Sequence, residues 1–242
     1  MLISLCTYNE RQNLENLIPV LFRYAPDAHV VIIDDGSPDG TGKYADELAA
    51  ENSAIRVLHR KGKQGLGSAI LRGFEFAIED NYEYVLNLDA DFSHHPQHIP
   101  AMRECMSRAD VAIGSRYIDG GGVEGWGFKR HFMSRGINLY AWLTLGLKTK
   151  DNSGSFRCYR VSELSKLDFS LVKSKGYSFQ EEILYRLDRI NARFEETPIY
   201  FANRRFGETK ITLREGTDAF VLLFKLFLER LRGVPVTKPD VT

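Results

Sequence analysis

Two apolar runs in this chain end in paired acids, and that arrangement limits the fold more than any other feature. They are "HVVIIDD" (29–35) and "YEYVLNLDAD" (82–91). Short β-branched runs of this kind read as buried strands. The stretches "LISLC", "AIRVL", "ADVAIGS", "SGSFRCYR" and "RFEETPIYF" read the same way. Segments of helical period separate the early strands. Leu14, Leu17, Ile18, Leu21 and Phe22 share one helical face, and Ala69, Ile70, Gly73, Phe74 and Ala77 share another. Strands alternating with helices predict right-handed βαβ units, hence an α/β fold on a mostly parallel sheet.

In open α/β sheets ligands bind beyond the carboxyl ends of the strands. Both acid pairs, Asp34-Asp35 and Asp89/Asp91, fall there. Acids at strand ends also cap turns, and an isolated D-x-D serves that purpose equally well. A hard divalent cation is the other way to hold two carboxylates one residue apart. Mg²⁺ or Mn²⁺ takes one or two carboxylates and fills its shell with water and substrate phosphate. The nearby His94, His95 and His98 raise the question of zinc, but Pro96 interrupts them and argues against a prearranged imidazole cage.

The rest of the chain sorts into turns, glycine-rich segments and apolar helices. "GSPDGTG" is turn chemistry, with Thr41 placed to cap the next helix. Gly62, Gly65 and Gly67 read as a tight strand-to-helix turn rather than a phosphate loop, because no "GK[ST]" follows. Near Tyr117 the alternation breaks into "IDGGGVEGWG", which reads as a mobile loop. A helix over 132–147 follows, with Leu139, Tyr140, Leu143 and Leu147 on its apolar face. The last helix, about 217–232, has apolar residues around most of its circumference. At 1.5 Å per residue it is about 20 Å long, too short to span a bilayer. It suits the membrane interface or a docking partner. Arg116, Arg130, Arg135, Arg204 and Arg205 fall on loops or element ends, where an anionic ligand would give them a common purpose.

Composition bounds the setting. The 242 residues carry 32 basic and 32 acidic side chains, so no global field draws the chain to nucleic acid. Three cysteines without a CxxC suit a reducing compartment. The N-terminus lacks a signal-peptide pattern, and no apolar run reaches spanning length. These features predict a cytoplasmic protein, peripheral on the cytoplasmic face of a membrane.

Nine stretches, in order, carry a family resemblance: "TYNERQNL", "IIDDGSPDGT", "GKQGLGSAILRG", "LDADFSHHP", "GSRYIDGGGVEGW", "SRGINL", "SGSFRCYR", "KGYSFQEE" and "RRFGETK". Together they resemble dolichol- and polyprenol-phosphate mannosyltransferases, family 2 glycosyltransferases with a Rossmann-like GT-A fold. The resemblance implies transfer of mannose from GDP-mannose to a polyprenyl (dolichyl-type) phosphate, with inversion. It places a catalytic domain over 1–210, with a nucleotide-sugar half (1–116) and an acceptor half (117–210), followed by an interfacial helix and tail (211–242).

Carried over by position, Tyr8, Glu10, Ile33 and Asp35 would hold the nucleoside, beside Cys6, which stands where the family usually has proline. Asp89, Ala90 and Asp91 would meet the diphosphate and the Mg²⁺ or Mn²⁺ ion. Ser93, where some relatives have glutamine, would add a metal contact. Arg116, Arg130, Ser134 and Arg204 would grip phosphate groups, chiefly the lipid's, and Lys210 would help close the donor site. A phosphate acceptor has a second pKa near 6 and arrives ionised, so no carboxylate base is required. Transfer of another sugar, such as glucose from UDP-glucose, and a non-catalytic nucleotide-binding module are the rival readings.

Overall fold

The computed structural model describes residues 1–176, 178–202 and 213–239, with the side chains of 213–216 left aside. In chain order the elements are β1 (Leu2–Thr7), α1 (Arg11–Tyr24), β2 (His29–Asp34), α2 (Thr41–Glu51), β3 (Ile55–His59), α3 (Leu66–Glu79) and β4 (Tyr84–Asp89). Then come α4 (Ile99–Cys105), β5 (Val111–Ser115), β6 (Gly122–Val123), α5 (Phe128–Leu145), β7 (Arg157–Arg160) and α6 (Val161–Leu164). The chain continues through α7 (Phe179–Arg189), β8 (Phe194–Pro198), β9 (Tyr200–Phe201) and α8 (Leu213–Leu231).

Seven strands form one sheet in the order β3-β2-β1-β4-β7-β5-β8. All neighbours pair in parallel except β7, which runs antiparallel to both β4 and β5. The predicted α/β fold is therefore present, with one reversed strand inside it. Strand residues alternate between two cores, as the pleat requires. Val31 and Ile33 join the core under α3, α7 and α8, whereas Val30 and Ile32 join the core under α1 and α4.

The order reverses at β1: the chain moves outward through β2 and β3, then returns to place β4 on the other side of β1. A crevice opens at such a switch point. Here it lies between the end of β1 and the acids that follow β4, with Cys6 in register with both Ile33 and Asp89.

Several local expectations change. Thr41 is not the cap of α2; Gly40 takes that position in the left-handed region (φ 84°). Thr41 Oγ1 instead donates to Asp39 and accepts from the Glu10 amide at 3.0 Å, tying the β1–α1 turn to the α2 start. The glycine-rich segment after Tyr117 holds a strand, since Gly122 and Val123 pair with Tyr200 and Phe201. Gly65 opens α3 at φ 100°, and a Cβ there would lie 2.3 Å from the Lys175 carbonyl oxygen. That glycine serves close packing, as the turn reading of its stretch expects.

The clearest correction concerns α5. Its inward face carries Asn138, Ala141 and Leu145, while Leu139 and Leu143, on the apolar face read from the sequence, are exposed rather than packed in the core. On α8, Leu222, Leu223 and Leu226 are buried, whereas Phe220, Val221 and Phe224 face outward. Its apolar circumference is thus half core and half surface.

Candidate active site

The end of β4 turns sharply. Asp89 closes the strand, Ala90 and Asp91 are buried, and Phe92 sits at φ 62°. A bulky residue in the left-handed region costs of order 1 kcal/mol or more, and such strain concentrates where a site needs a particular geometry. The carboxylates are held from two directions. Ser155 Oγ donates to Asp89 Oδ1 at 2.8 Å, and the Ser93 amide donates to Asp91 Oδ1 at 3.0 Å.

His94 lies behind the turn, stacked on Phe156 with Nδ1 3.6 Å from Asp89 Oδ2. Burial pushes its pKa down against the pull of Asp89 and Asp91, so the ring is neutral at pH 7. His95 Nδ1 accepts from the Gln97 amide, and His98 Nε2 accepts from the Tyr200 amide. The three histidines thus face different partners. Among the described residues no three His, Cys, Asp or Glu side chains converge as a cage. The two carboxylates and the Ser93 hydroxyl make a hard-oxygen donor set, and that hydroxyl is buried with no hydrogen-bond partner among the described residues. That set fits Mg²⁺ or Mn²⁺ with the remaining positions left to phosphate and water.

Across the crevice, the β1–α1 turn carries Tyr8 and Glu10. The Lys63 ammonium lies 5.2 Å from the Tyr8 ring centroid, and Glu10 Oε2 accepts from Asn13 at 2.5 Å. Asn9, between them, is at φ 60°. Asp34 is structural, since both its oxygens accept from Ser37 and Thr7 also donates to it. Asp35 is buried against Arg60 Nη1 at 2.8 Å and accepts from the Gln64 amide. Burial pushes its carboxyl above the usual range, and the Arg60 charge opposes that. Ile33 is fully buried in the core, which leaves its main chain as the part a nucleoside could meet. Cys6 is half-buried, and burial together with Asp89 and Asp35 pushes its thiol pKa far up, keeping it neutral.

The residues that the resemblance assigns to the lipid phosphate form a second cluster where they are described. Arg116 is buried and donates through Nε and Nη2 to the two oxygens of Asp151, each at 2.7 Å. Burial raises the Asp151 pKa, but the Arg116 charge and hydrogen bonds outweigh it and hold the carboxyl below its usual range. Arg116 therefore organises the wall of the site, and its fork is already occupied by a carboxylate. Arg130 lies over the Trp126 ring at 4.0 Å, with Phe201 5.8 Å away. Ser134 Oγ accepts from the Tyr117 hydroxyl at 2.6 Å. Arg204 and Lys210 lie outside the described residues, as does Arg205.

Residues that the sequence did not single out join the two clusters. Asn138 of α5 accepts from the Asn152 amide at 2.6 Å, and Gly154 donates its amide to Asp151. Ser155 then reaches Asp89. This 151–155 loop connects the arginine wall to the acid turn. No local pattern announces it: the buried Arg116 needs a carboxylate, and Asp151, 35 residues away, supplies it.

The sequence model of glycosyl transferase family 2 matches residues 3–168. This chain belongs to glycosyltransferase family 2. The glycosyltransferase is 38% identical to the polyprenol monophosphomannose synthase of Mycolicibacterium smegmatis, over 96% of this chain and 90% of that protein. It is 39% identical to the undecaprenyl-phosphate mannosyltransferase of Micrococcus luteus, over 85% of each. Solved structures share the fold at lower identity. Glucosyl-3-phosphoglycerate synthase from Mycobacterium tuberculosis, with Mn²⁺, UDP-glucose and phosphoglyceric acid, superposes with a TM-score of 0.63 at 19% identity, over 97% of this chain and 80% of that one. Staphylococcus aureus TarS with UDP-GlcNAc gives 0.59 at 16% identity, over 97% and 73%. The glycosyltransferase thus has the GT-A fold, with its acid turn at the β1–β4 crevice.

Proposed function

We propose that this glycosyltransferase moves mannose from GDP-mannose to the phosphate of a polyprenyl monophosphate, with inversion at the anomeric carbon. The observation that carries the reading is the pairing of the Asp89–Asp91 turn with an arginine–aromatic wall through the 151–155 loop. A nucleotide sugar needs the first and an anionic acceptor the second. The names of the relatives in Mycolicibacterium and Micrococcus supply the sugar and the lipid class.

Residues 1–116 form the donor side and 117–210 the acceptor side of one catalytic unit. The tail from 211 meets the cytoplasmic face of the membrane. Tyr8, Glu10 and Asp35 line the nucleoside end, with Arg60 fixing Asp35. Asp89 and Asp91, with the Ser93 hydroxyl, would hold Mg²⁺ or Mn²⁺. When bound, that ion neutralises charge on the leaving diphosphate.

Ser155 and the Ser93 amide fix the two carboxylates before substrate arrives, which removes reorganisation from the reacting state. Trp126 and Phe201 keep the Arg130 guanidinium flat and shield it from water. A charge-assisted contact from such an arginine to the acceptor is worth about 1.5–3 kcal/mol. Arg116, locked to Asp151, sets the position of Tyr117 and so of Ser134. The acceptor oxygen is already an anion, so holding it in line with the anomeric carbon is the chain's main contribution.

Incubation with radiolabelled GDP-mannose and a polyprenyl phosphate tests the reading. Label should enter the lipid fraction, and UDP-glucose should label it far less. Asp91→Asn should lose most turnover while keeping its melting temperature within a few degrees. Lipid labelling from UDP-glucose at or above the GDP-mannose rate would overturn the donor assignment. Near wild-type turnover of Asp91→Asn would overturn the metal assignment.

A further inference from the structure

The acceptor-side helix α5 presents a surface that the chemistry above leaves unused. Phe128, Phe132, Leu139, Trp142 and Leu143 lie along one stripe and are all exposed, with Phe128 84% and Leu143 62% accessible. The stripe does not end at α5. Tyr140 packs on Phe220 of α8 with ring centroids 4.8 Å apart, and Phe220, Val221 and Phe224 continue the exposed apolar surface. A contiguous patch of this kind on two packed helices marks an interaction site. Among the described residues no helix is long and apolar enough to cross a membrane.

Charge identifies the occupant. Beside the stripe a cleft of about 390 Å³ is lined by Tyr117, Arg135, Leu139, Trp142, Lys148 and Lys150, with Asn138 and Thr149. Three cations line it and no carboxylate does. Lys148 and Lys150 are exposed, and Lys150 follows the αL glycine turn that ends α5. On the far side of the patch, Lys175 and Lys225 border a second cleft against Val221 of α8. Its third lysine, Lys173, is paired to Glu229, and Asp218 lines it too, so the α5 cleft is the more cationic. An apolar patch with cations at both borders matches a bilayer interface, where acyl chains meet anionic headgroups.

We propose that the exposed faces of α5 and α8 seat on an anionic bilayer, with a phosphate headgroup of a bulk lipid in the Arg135–Lys148–Lys150 cleft. This deepens the proposed function. The cleft shares Tyr117 with the acceptor wall, so a seated enzyme has its acceptor side against the leaflet that holds the lipid phosphate. α5 is the main contact, and α8, whose other half is core, extends it.

Vesicle co-sedimentation without any polyprenyl phosphate tests the surface independently of transfer. Vesicles of neutral phosphatidylcholine are compared with vesicles containing phosphatidylglycerol, at low and high salt. Wild type should bind the anionic vesicles much more tightly, and salt should weaken that binding. Lys148→Ala with Lys150→Ala should weaken it about 25-fold, taking roughly fivefold per basic residue at an anionic surface. The same variant should keep its rate on a short, water-soluble prenyl phosphate, so failure here is distinguishable from failure of the transferase reading. Leu139→Ser with Leu143→Ser should weaken binding to both vesicle types without changing the melting temperature, since both side chains are exposed. Equal binding to both vesicle types, unaffected by the lysine variant, would overturn the headgroup assignment. So would inorganic phosphate displacing the protein at constant ionic strength. A dimer in sedimentation that Leu143→Ser dissociates would show that a second copy covers the face instead.

Discussion

Burial in the first turn of α7 pushes the Glu181 carboxyl up to about 7, and its Oε2 finds no hydrogen-bond partner among the described residues. A raised folded-state pKa means that the native protein binds a proton which the unfolded chain releases. Stability should therefore be highest below about pH 4.5 for this group, fall through the window from there to 7, and stay reduced above it. Glu181→Gln should accordingly melt higher than wild type at pH 8, by at most about 3 kcal/mol of stability, and about level with it at pH 5. Thermal melts of both proteins at the two pH values check this. Turnover of Glu181→Gln should persist, because an ionised acceptor needs no carboxylate base. Loss of turnover restored by an added small base would point to a hydroxyl acceptor. At this scale the sequence is legible where a motif's position says what a residue must face, as with Asp89 and Asp91 at a strand end. It is not legible where a partner is distant in sequence. Nothing in "GSRY" shows that Arg116 will be spent on Asp151, or that Ile33 will turn entirely into the core.

Between elements, β7 is the unusual piece, an antiparallel strand inserted between β4 and β5. Asp110, just before β5, holds it. Its carbonyl accepts from the Arg160 amide, and its carboxylate binds Arg193 on the β8 side and Arg160 on the β7 side. The Arg193 hydrogen bonds, and then those from Arg160, hold the Asp110 carboxyl down to about 2 against partial burial. A depressed acid stabilises the fold above its unfolded pKa and loses that effect as pH falls through the folded value. Asp110→Asn should cost about 2 kcal/mol at pH 7, and the gap to wild type should close between about pH 4 and 2. Urea unfolding across that range measures it, and a gap that stays constant with pH would reject the account. Every strand of the main sheet is visible in the sequence: β1 to β5 as short apolar runs bounded by turns, a local signal, and β7 and β8 as short aromatic-bearing stretches between turns and helices. Which face of α5 is covered is not legible, because leucine spacing shows only that a face is apolar. Asn138 and Ala141 face inward because the 151–155 loop needs a hydrogen-bonding partner at close approach.

Across the whole molecule, the site is built from parts that only the sheet order brings together. Alternating strands and helices announce a parallel sheet, but the reversal at β1 and the place of β7 depend on long-range pairing that no local pattern encodes. A ligand in that crevice would bridge the β1–α1 turn, Asp35 after β2 and the acids after β4, so binding should stabilise the entire sheet. For a site at 100 times its Kd the linkage is about 2.7 kcal/mol, or roughly 5–10 °C in melting temperature for a chain of this size. GDP with Mg²⁺ or Mn²⁺ should therefore raise the melting temperature by about that much, and more than UDP with the same ion. Asp91→Asn should remove the increment that depends on the metal and keep the small effect of nucleotide alone. Arg130→Ala should keep both, because the proposed function gives Arg130, stacked on Trp126, to the acceptor. Differential scanning fluorimetry over a nucleotide series reads all of these in one experiment. A UDP shift equal to or larger than the GDP shift would reject the guanine-nucleotide donor. Loss of the GDP shift in Arg130→Ala would mean that the donor reaches across the crevice into the arginine wall.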